Sequence, residues 1–502
     1  MVRFSITNTA ARGTTSRFLV CAALVAVGAF FRVTATPINN YNDTNAVYSP
    51  QGSDRFYIKP DEKKTSKGGL RLQISPFYQH AGRARNGAGR SVPMGERLGK
   101  WNMTGLFFGQ AAAPKAFASY TELNKVFTTY FNSGNGINDG SDDITGFSTP
   151  LQNLAKEADY DLDVNVASLF GGFNGEGDPK DTGALGITYE KYGLRGQVAV
   201  SFVHGLSLSV KGGLVDYKMA PNFNVGETLK SQRDLTDDDQ KAKKVVYDHL
   251  FAPTARAKLF GEIGLDLDSV RKTAMEDMHI QLQWHLPQDF RENDELAVTV
   301  IPSLAAGMWL PTGKKKDQDR AFSLDTGNGG FYGFTLEGAL AFDFPQLMQT
   351  NFGGGAIVSA SKDQSGYRVP SANPTVGVIK QQGFYPWKTS VNIKPGLTWF
   401  AQASLKSEGF SGDLSLFFDY VYTYHQRDSI TLKETSVTRQ EAFAPGVKYL
   451  ENESNWKSQL CNIGLDYRIT KNLAFGGLVQ GMIGGSHVLK STLVMGTVTF
   501  SF

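Results

Sequence analysis

The chain has 502 residues, of which 41% are hydrophobic, 12% are aromatic and 20% are charged. This is enough material for one large or two medium folding units. The formal net charge is only +3, and lysine and arginine are spread along the chain, whereas a nucleic-acid-binding protein would show a basic cluster. Beyond the N-terminus no stretch approaches about eighteen consecutive apolar residues, which excludes a protein that crosses a membrane with α-helices.

The N-terminal segment has the three parts of an export signal. Arg3, Arg12 and Arg17 precede the apolar run Phe18–Phe31, and the small-residue site Val33-Thr34-Ala35 follows. A basic head, an apolar middle and a small-residue cleavage site predict a secretory signal peptide over residues 1–35, removed near Ala35. The head is also rich in serine and threonine, which leaves an organelle transit peptide as the alternative.

Alternation of polar and apolar residues with a period of two dominates the rest of the chain, and it is clearest over 391–405. Successive side chains of a strand point to opposite faces, so each such segment has one apolar and one polar face. About fourteen strands are predicted, within a range of about twelve to sixteen. They lie near 69–80, 161–170, 184–192, 194–203, 206–218, 278–286, 295–310, 331–344, 352–361, 391–405, 411–425, 457–469, 472–484 and 490–502.

The predicted connections between these strands alternate in length. Long connections fall at 81–160, 219–277, 311–330, 362–390 and 426–456, and most of those between them are short. Tyr192-Gly193 and 485–489 are exceptions, because they are short where a long one is expected. The sequence of segment 236–260 predicts a helix with acidic residues at its start. Short turns at one end and long loops at the other predict a closed antiparallel barrel over 67–502.

Two features favour a membrane barrel over a soluble β-sandwich. The apolar faces are rich in aromatic residues toward strand ends, as at Tyr420, Tyr422 and Tyr424. They also carry almost no charge, and a lysine or arginine at the bilayer midplane of a barrel costs roughly 2–4 kcal/mol.

After removal of the signal peptide, Cys461 is the one cysteine left in the sequence, so no internal disulfide stabilises the chain. A closed, hydrogen-bonded barrel supplies that stability instead.

The C-terminal strand carries a resemblance to a known class. Val494, Val498, Phe500 and Phe502 resemble the closing strand of bacterial outer-membrane β-barrel proteins, although the glycine of that pattern stands one position early, at Gly496. The resemblance implies the porin and long-chain fatty-acid-transporter-like class, with no subfamily identified. It implies the bacterial outer membrane as the location, membrane lipid as the surrounding medium, and recognition of Phe500 and Phe502 by the barrel-assembly machinery. It also implies that residues 36–66 form a short periplasmic segment and that 81–160 and 219–277 form long extracellular loops.

Residue constellations for catalysis or metal binding are missing from the sequence. None of the seven histidines has a serine two residues away, as a base and nucleophile on one strand face would require. His279 and His285 share a face but are too far apart for one metal ion. Asp159, Asp161 and Asp163 lack the glycine of a calcium loop. The sequence therefore predicts no enzyme, no metal and no cofactor.

The polar faces of the predicted strands carry charged residues, which we expect to line the lumen. A barrel of this size leaves interior space, so the leading interpretation is a passive channel for small solutes. The alternatives are a closed barrel with internal salt bridges, a transporter of hydrophobic compounds, or a surface barrel whose loops bind a partner. The predicted pore-lining residues are Arg71, Glu190, Arg195, Lys211, Glu337, Asp343, Lys394, Asp413 and Asp419.

Overall fold

A computed structural model describes residues 69–94, 186–202, 205–222, 264–292, 295–345, 347–369, 387–411, 413–433 and 437–502, with isolated positions between 252 and 261. The predicted signal peptide, the segment 36–66, the predicted strand 161–170 and most of the predicted helix 236–260 lie outside the described residues. In the described part no helix is long and apolar enough to cross a membrane.

The described residues form strands and helix α1 (Val437–Ser454). The strands are β1 (Gly69–Arg85), β2 (Ser91–Pro93), β3 (Gly186–Ser201), β4 (Leu206–Asn222), β5 (Val270–Met275), β6 (Met278–His285), β7 (Gln288–Glu292), β8 (Glu295–Leu310), β9 (Gly333–Phe344), β10 (Met348–Ser359), β11 (Lys362–Val369), β12 (Trp387–Lys394), β13 (Thr398–Ser411), β14 (Leu414–His425), β15 (Ser429–Leu432), β16 (Trp456–Thr470), β17 (Leu473–Ser486) and β18 (Val488–Ser501).

Twelve of these strands close into an antiparallel barrel. The order around the barrel is β1-β3-β4-β6-β8-β9-β10-β13-β14-β16-β17-β18, and β18 pairs with β1 to close it, from Arg71↔Ser501 to Arg85↔Val488. β5 and β7 pair with β4 and β8 as continuations of β6. The predicted all-β antiparallel barrel is therefore confirmed, and twelve strands fall within the predicted range.

Two predicted strand boundaries are wrong, and a glycine is the reason in both cases. The predicted turn at Tyr192-Gly193 lies inside the continuous strand β3, which pairs with β4 along its whole length. A Cβ at Gly193 would approach the carbonyl oxygen of Leu214 to 2.3 Å, so this glycine permits close strand packing. The predicted strand 391–405 is broken at Pro395-Gly396 into β12 and β13, which belong to two different sheets.

The connections alternate in length as predicted. One end of the barrel, here called the turn rim, carries the short turns after β3, β9, β13 and β16 together with Gly69 and Phe502. The other end, the loop rim, carries the long connections after β1, β4, β8, β10 and β14. The short connection predicted at 485–489 of the loop rim is confirmed, since β17 and β18 meet at His487, whose φ is 56°.

The two faces of the barrel wall differ in polarity. Outward side chains are apolar and exposed, and on β1 they run from Leu70 to Tyr78, about the nine residues that a tilted membrane-spanning strand needs. Others on this face are Leu194, Leu214, Phe352, Ile463 and Val494. Cys461 shares the face of Ile463, as predicted. Inward positions carry buried polar side chains such as Gln73, Ser75, Gln281, Thr335, Asn462 and Thr497. An apolar exterior around a polar interior is the pattern of a membrane barrel.

A second sheet stands on the loop rim. Its strands β11, β12 and β15 are paired in that order and continue β10, β13 and β14 beyond the barrel. We call this sheet together with α1 the outer sheet. Buried apolar side chains join the sheet to the helix, namely Tyr367, Val369, Val391, Ile393, Ile430, Phe443 and Val447, and Phe331 packs with them. The outer sheet thus has a hydrophobic core of its own.

Candidate channel lumen and mouth

Six of the nine predicted pore-lining residues lie on the inner face of the wall. Strand alternation places them beside buried neighbours of the lumen, as with Arg71 beside Gln73 and Ser75. Asp343 is only 3% exposed. The six are Arg71, Arg195, Lys211, Glu337, Asp343 and Asp419.

The prediction for Glu190 is wrong because the strand does not turn at Tyr192-Gly193. In the continuous strand β3, Glu190 has the same parity as the exposed outward residues Tyr192 and Leu194. Arg195 has the opposite parity and faces inward with the buried Lys191. Residues of opposite parity on one strand cannot share a face.

The predictions for Lys394 and Asp413 are also wrong. Lys394 lies on β12 of the outer sheet and pairs with Ser429 of β15, so it is not part of the barrel wall. Its side chain is exposed, on the face opposite the buried Ile393. Asp413 lies in the turn between β13 and β14 at the turn rim, where it is exposed. Both errors come from strand ends that alternation alone does not define.

A buried charge network that the sequence analysis did not predict lies on the inner wall. The Glu276 carboxylate accepts hydrogen bonds from Lys191 Nζ at 2.7 Å and from Arg195 Nε at 2.8 Å. Arg195 Nη2 donates a further bond to the same carboxylate at 2.8 Å, so the Arg195 contact is bidentate. Arg195 also stands 4.1 Å from the ring centroid of Phe77. This part of the lumen is therefore crosslinked by three charged groups, two from β3 and one from the connection between β5 and β6.

A β-bulge explains why both Glu276 and Asp277 are buried. β5 pairs with β4 up to Leu214↔Met275, and β6 pairs with the same strand from Lys211↔His279. The β5–β6 side therefore holds one residue more than the facing stretch of β4. Such an extra residue re-aims neighbouring side chains, and here both residues are 5% exposed.

Asp277 anchors the connection 311–332 between β8 and β9, which we call the mouth loop. Its two carboxylate oxygens accept hydrogen bonds from the backbone N–H groups of Gly313, at 2.8 Å, and Asn328, at 2.5 Å. A Cβ at Gly327 would lie 2.3 Å from the same carboxylate. The loop backbone therefore wraps closely around one buried side chain of the wall.

Tyr217 holds the middle of the mouth loop on the inner side of the barrel. It faces inward with its neighbours Val215 and Met219, and all three are at most 1% exposed. The Tyr217 hydroxyl donates to the carbonyl oxygen of Leu324 and accepts from the N–H of the same residue, both at 3.0 Å. Thr326 adds a bond to the carbonyl oxygen of Met275 at 2.8 Å. The mouth loop therefore folds inward against the inner side of the barrel wall.

Arg368 of β11 joins the outer sheet to the mouth loop. Its side chain is 3% exposed and donates to the carbonyl oxygens of Gln318 and Gly264, both at 2.7 Å, and to the Asp319 carboxylate at 2.8 Å. Lys388 contacts the same carboxylate at 2.6 Å. Burial alone would raise the pKa of Asp319, but the bonds from Lys388 and Arg368 outweigh it and lower that pKa below its ordinary value.

The inner face also carries apolar side chains. One buried cluster, which we call the lumen cluster, lies on five strands and consists of Phe77, Val215, Phe417, Leu478, Leu493 and Met495. A second cluster consists of Val421, Trp456, Leu460, Met482 and Val488. Polar rows lie between them, as where Asp419, Asn462 and Gln480 are paired across β14, β16 and β17. The lumen is therefore layered along its length.

A histidine network lies where the barrel meets the outer sheet. Thr398 Oγ1 is 2.7 Å from His425 Nδ1, and His425 Nε2 is 3.0 Å from Asp428 Oδ1, which also accepts the N–H of Gly396 at 2.9 Å. A hydroxyl, an imidazole and a carboxylate in series resemble a catalytic arrangement. All three side chains are at most 6% exposed, however, so the arrangement fixes the joint between the two sheets.

Metal ligands are not clustered in the described part of the chain. No group of three or more histidine, cysteine, aspartate or glutamate side chains there could hold a metal ion.

The sequence matches no model of a known protein family and no curated protein. Solved structures with a similar chain path include an outer-membrane channel from Pseudomonas putida F1, with 9% identity, a TM-score of 0.41, and coverage of 88% of this chain and 99% of that one. The transport unit of the autotransporter AIDA-I from Escherichia coli has 9% identity and a TM-score of 0.32, and covers 93% and 99%. The KdgM porin has 7% identity and a TM-score of 0.26, and covers 63% and 96%.

Proposed function

We propose that this outer-membrane β-barrel is a passive channel for small polar solutes, whose lumen is narrowed at the loop rim by the mouth loop. After removal of the signal peptide near Ala35, the loop rim faces the cell exterior. The observation that carries the proposal is the polar inner face, which contains buried polar atoms with no protein partner.

These atoms belong to inward side chains on several strands. Within the described part of the chain, they have no hydrogen-bond partner, and they include atoms of Gln73, Gln281, Thr423, Ser458 and Asn462. Leaving a buried donor or acceptor unpaired costs about 1–3 kcal/mol. Water or a polar solute inside the barrel would remove that cost, and the barrel would then hold a hydrated path.

The proposed path is narrow. Barrels of about eight strands are filled by side chains, whereas those of about sixteen to eighteen enclose an aqueous channel. Twelve strands lie between these sizes, and most inward side chains of the described wall are buried. We therefore expect a conductance well below that of a large general porin.

The lumen cluster favours a second candidate function, the transport of hydrophobic compounds. An apolar surface on β1, β4, β14, β17 and β18 could hold the apolar part of such a compound. Ionic conductance separates the two candidates, because a path for hydrophobic compounds does not require a continuous column of water.

Planar-bilayer recording of the refolded full chain tests the proposed channel. We expect discrete conductance steps. In the Ser404→Cys variant, made in a Cys461→Ser background, a charged thiol reagent should reduce each step, because Ser404 faces inward. The native protein is the matched control, since Cys461 faces outward and should leave the steps unchanged. Absence of conductance from well-folded protein would overturn the channel.

A further inference from the structure

Three lysines converge on the inner side of the loop rim. Lys362 Nζ donates to the carbonyl oxygen of Gly330 at 2.9 Å, and the side chain of Lys315 lies over the same glycine, where a Cβ would be 2.3 Å from Lys315 Cε. Lys272, on the inner face of β5, donates from Nζ to the carbonyl oxygen of Lys315 at 2.7 Å. One lysine thus comes from the wall, one from the mouth loop and one from the outer sheet.

Lys362 lies on the face of the outer sheet that contacts the mouth loop. Lys362 pairs directly with Ile393, and directly paired residues of two strands project from the same face. Ile393 is buried in the core that also contains Phe331, at the end of the mouth loop. The face of Lys362 is therefore the one that meets the mouth loop, where its ammonium group reaches Gly330.

Two carboxylates of this region bind other groups, whereas Asp317 and Asp325 attract Lys272. Asp319 binds Arg368 and Lys388, and Asp363 binds Lys433 and Asn392. Among the described residues no carboxylate forms a salt bridge with Lys315 or Lys362. Burial and then the neighbouring Lys315 lower the pKa of Lys362 below its ordinary value, as expected for two ammonium groups that lie close together.

Lysines at a surface usually stay apart in water, because like charges that face each other are destabilising. Here two of the three ammonium groups donate hydrogen bonds to main-chain carbonyls, which hold the chains in place. A bound anion would convert the repulsion into attraction, and an ammonium group binds carboxylate or phosphate as a point charge.

We propose that Lys315 and Lys362, with Lys272 beside them, form a binding site for an anionic group, carboxylate or phosphate, at the channel entrance. The inference rests on the proposed channel and deepens it, since anionic solutes become its preferred class. Local positive charge at a pore entrance raises the concentration of anions there and sets ion preference.

Reversal potentials under a KCl gradient, recorded in neutral phosphatidylcholine bilayers, test the site. The native channel should prefer chloride, and Lys315→Gln combined with Lys362→Gln should lower the anion-to-cation permeability ratio about twofold to fivefold. The matched control is Lys394→Gln combined with Lys490→Gln, which removes the same charge from exposed positions outside the lumen face. That control should keep the native ratio.

Inorganic phosphate added at the loop rim gives a second readout. It should block the chloride current of the native channel, with about tenfold weaker block in the double variant. The single variant Lys315→Gln, at an exposed side chain, should show an intermediate effect and covers the case in which the double variant fails to fold.

The outcomes separate the anion site from the channel. Intact conductance with unchanged selectivity and unchanged phosphate block would overturn the anion site and leave the channel. No conductance from any variant would overturn the channel itself. An effect of the substitutions that appears only when the bilayer contains lipopolysaccharide would assign these lysines to lipid phosphate and would also overturn the site proposed here.

Discussion

The mouth loop and the outer sheet both stand at the loop rim, but they are stabilised in different ways. The mouth loop is held by hydrogen bonds to a few buried polar groups of the wall, chiefly Asp277 and Tyr217. The outer sheet is held by its own apolar core, which contains Val391 and Ile393. The difference shows that a segment without regular structure can be fixed by the scaffold that it covers.

The two modes respond differently to substitution. An apolar core spreads its stabilisation over many contacts, whereas a loop fixed by a few polar groups depends on each of them. The mouth loop should therefore be released by single polar substitutions that leave the outer sheet intact. Substitutions in the core should do the reverse.

The largest effect is expected in the outer sheet. Ile393 is 0% exposed, so Ile393→Ala would leave a cavity and should cost the sheet roughly 2–5 kcal/mol of local stability. Hydrogen exchange should become faster in β11, β12 and β15. Exchange at 317–328 of the mouth loop is the internal control, and an equal loss of protection there would mean that the two regions form one cooperative unit.

The next effect concerns the mouth loop. Asp277→Ala removes the acceptor of two backbone hydrogen bonds, and a bond to a charged group contributes about 1.5–3 kcal/mol. Trypsin should cleave after Lys314, Lys315 or Arg320 at least about tenfold faster than in the native protein. The cleavage rate of Asp277→Asn, which keeps one acceptor oxygen, should lie between those of the native protein and Asp277→Ala. An unchanged cleavage rate would show that other contacts hold the loop.

A smaller effect is expected from Tyr217→Phe, which removes a hydroxyl and keeps the ring. The lost bonds to Leu324 are between neutral groups, each worth about 0.5–1.5 kcal/mol. Trypsin cleavage of the mouth loop should therefore rise about fivefold, with the ring contact to Tyr189 retained. A rise as large as that in Asp277→Ala would mean that the two anchors are equally important.

The smallest effect is a pH dependence at the link between the two regions. Because the pKa of Asp319 is lowered below its ordinary value of 3.8, its contribution is fully present above that pH and is lost as the pH falls through the folded-state pKa. Exchange at 317–320, corrected for intrinsic rates, should increase only below about pH 4. Asp319→Asn should abolish the dependence, and a transition near neutral pH would implicate another group.

Alternation predicted the barrel because each wall strand has one apolar and one polar face. It failed at two glycines, in opposite directions. Gly193 suggested a turn, but it is a strand residue that allows close approach to Leu214. Alternation predicts that Gly396 lies within a strand, but the chain leaves the strand at this point. A Cβ at Gly396 would lie 2.4 Å from the carbonyl oxygen of Gln426. Neither neighbour is close in sequence, so the local pattern could not distinguish the two roles.

The mouth of the lumen could be predicted only in part. Inward charges such as Arg195 and Lys211 follow from strand parity, and six of the nine predicted residues do lie on the inner wall. The mouth loop has no periodicity, and its anchors lie far from it in the chain, as Tyr217 does from Leu324. The adjacent acidic residues Glu276 and Asp277 beside a predicted strand were the available signal for a site, but their partners depend on the closed barrel.

The bulge at Glu276 and Asp277 also changes which residue numbers, odd or even, face inward. On β6, odd-numbered residues such as His279 and Gln281 face the lumen, whereas on β5 the inward residues are even-numbered, as at Lys272 and Ala274. Removing one residue at this point would restore a single parity and force one half of the strand to exchange its lipid and lumen faces. The one extra residue therefore lets even-numbered residues of β5 and odd-numbered residues of β6 face the same interior, so that the inner face of the wall continues from the lumen to the loop rim.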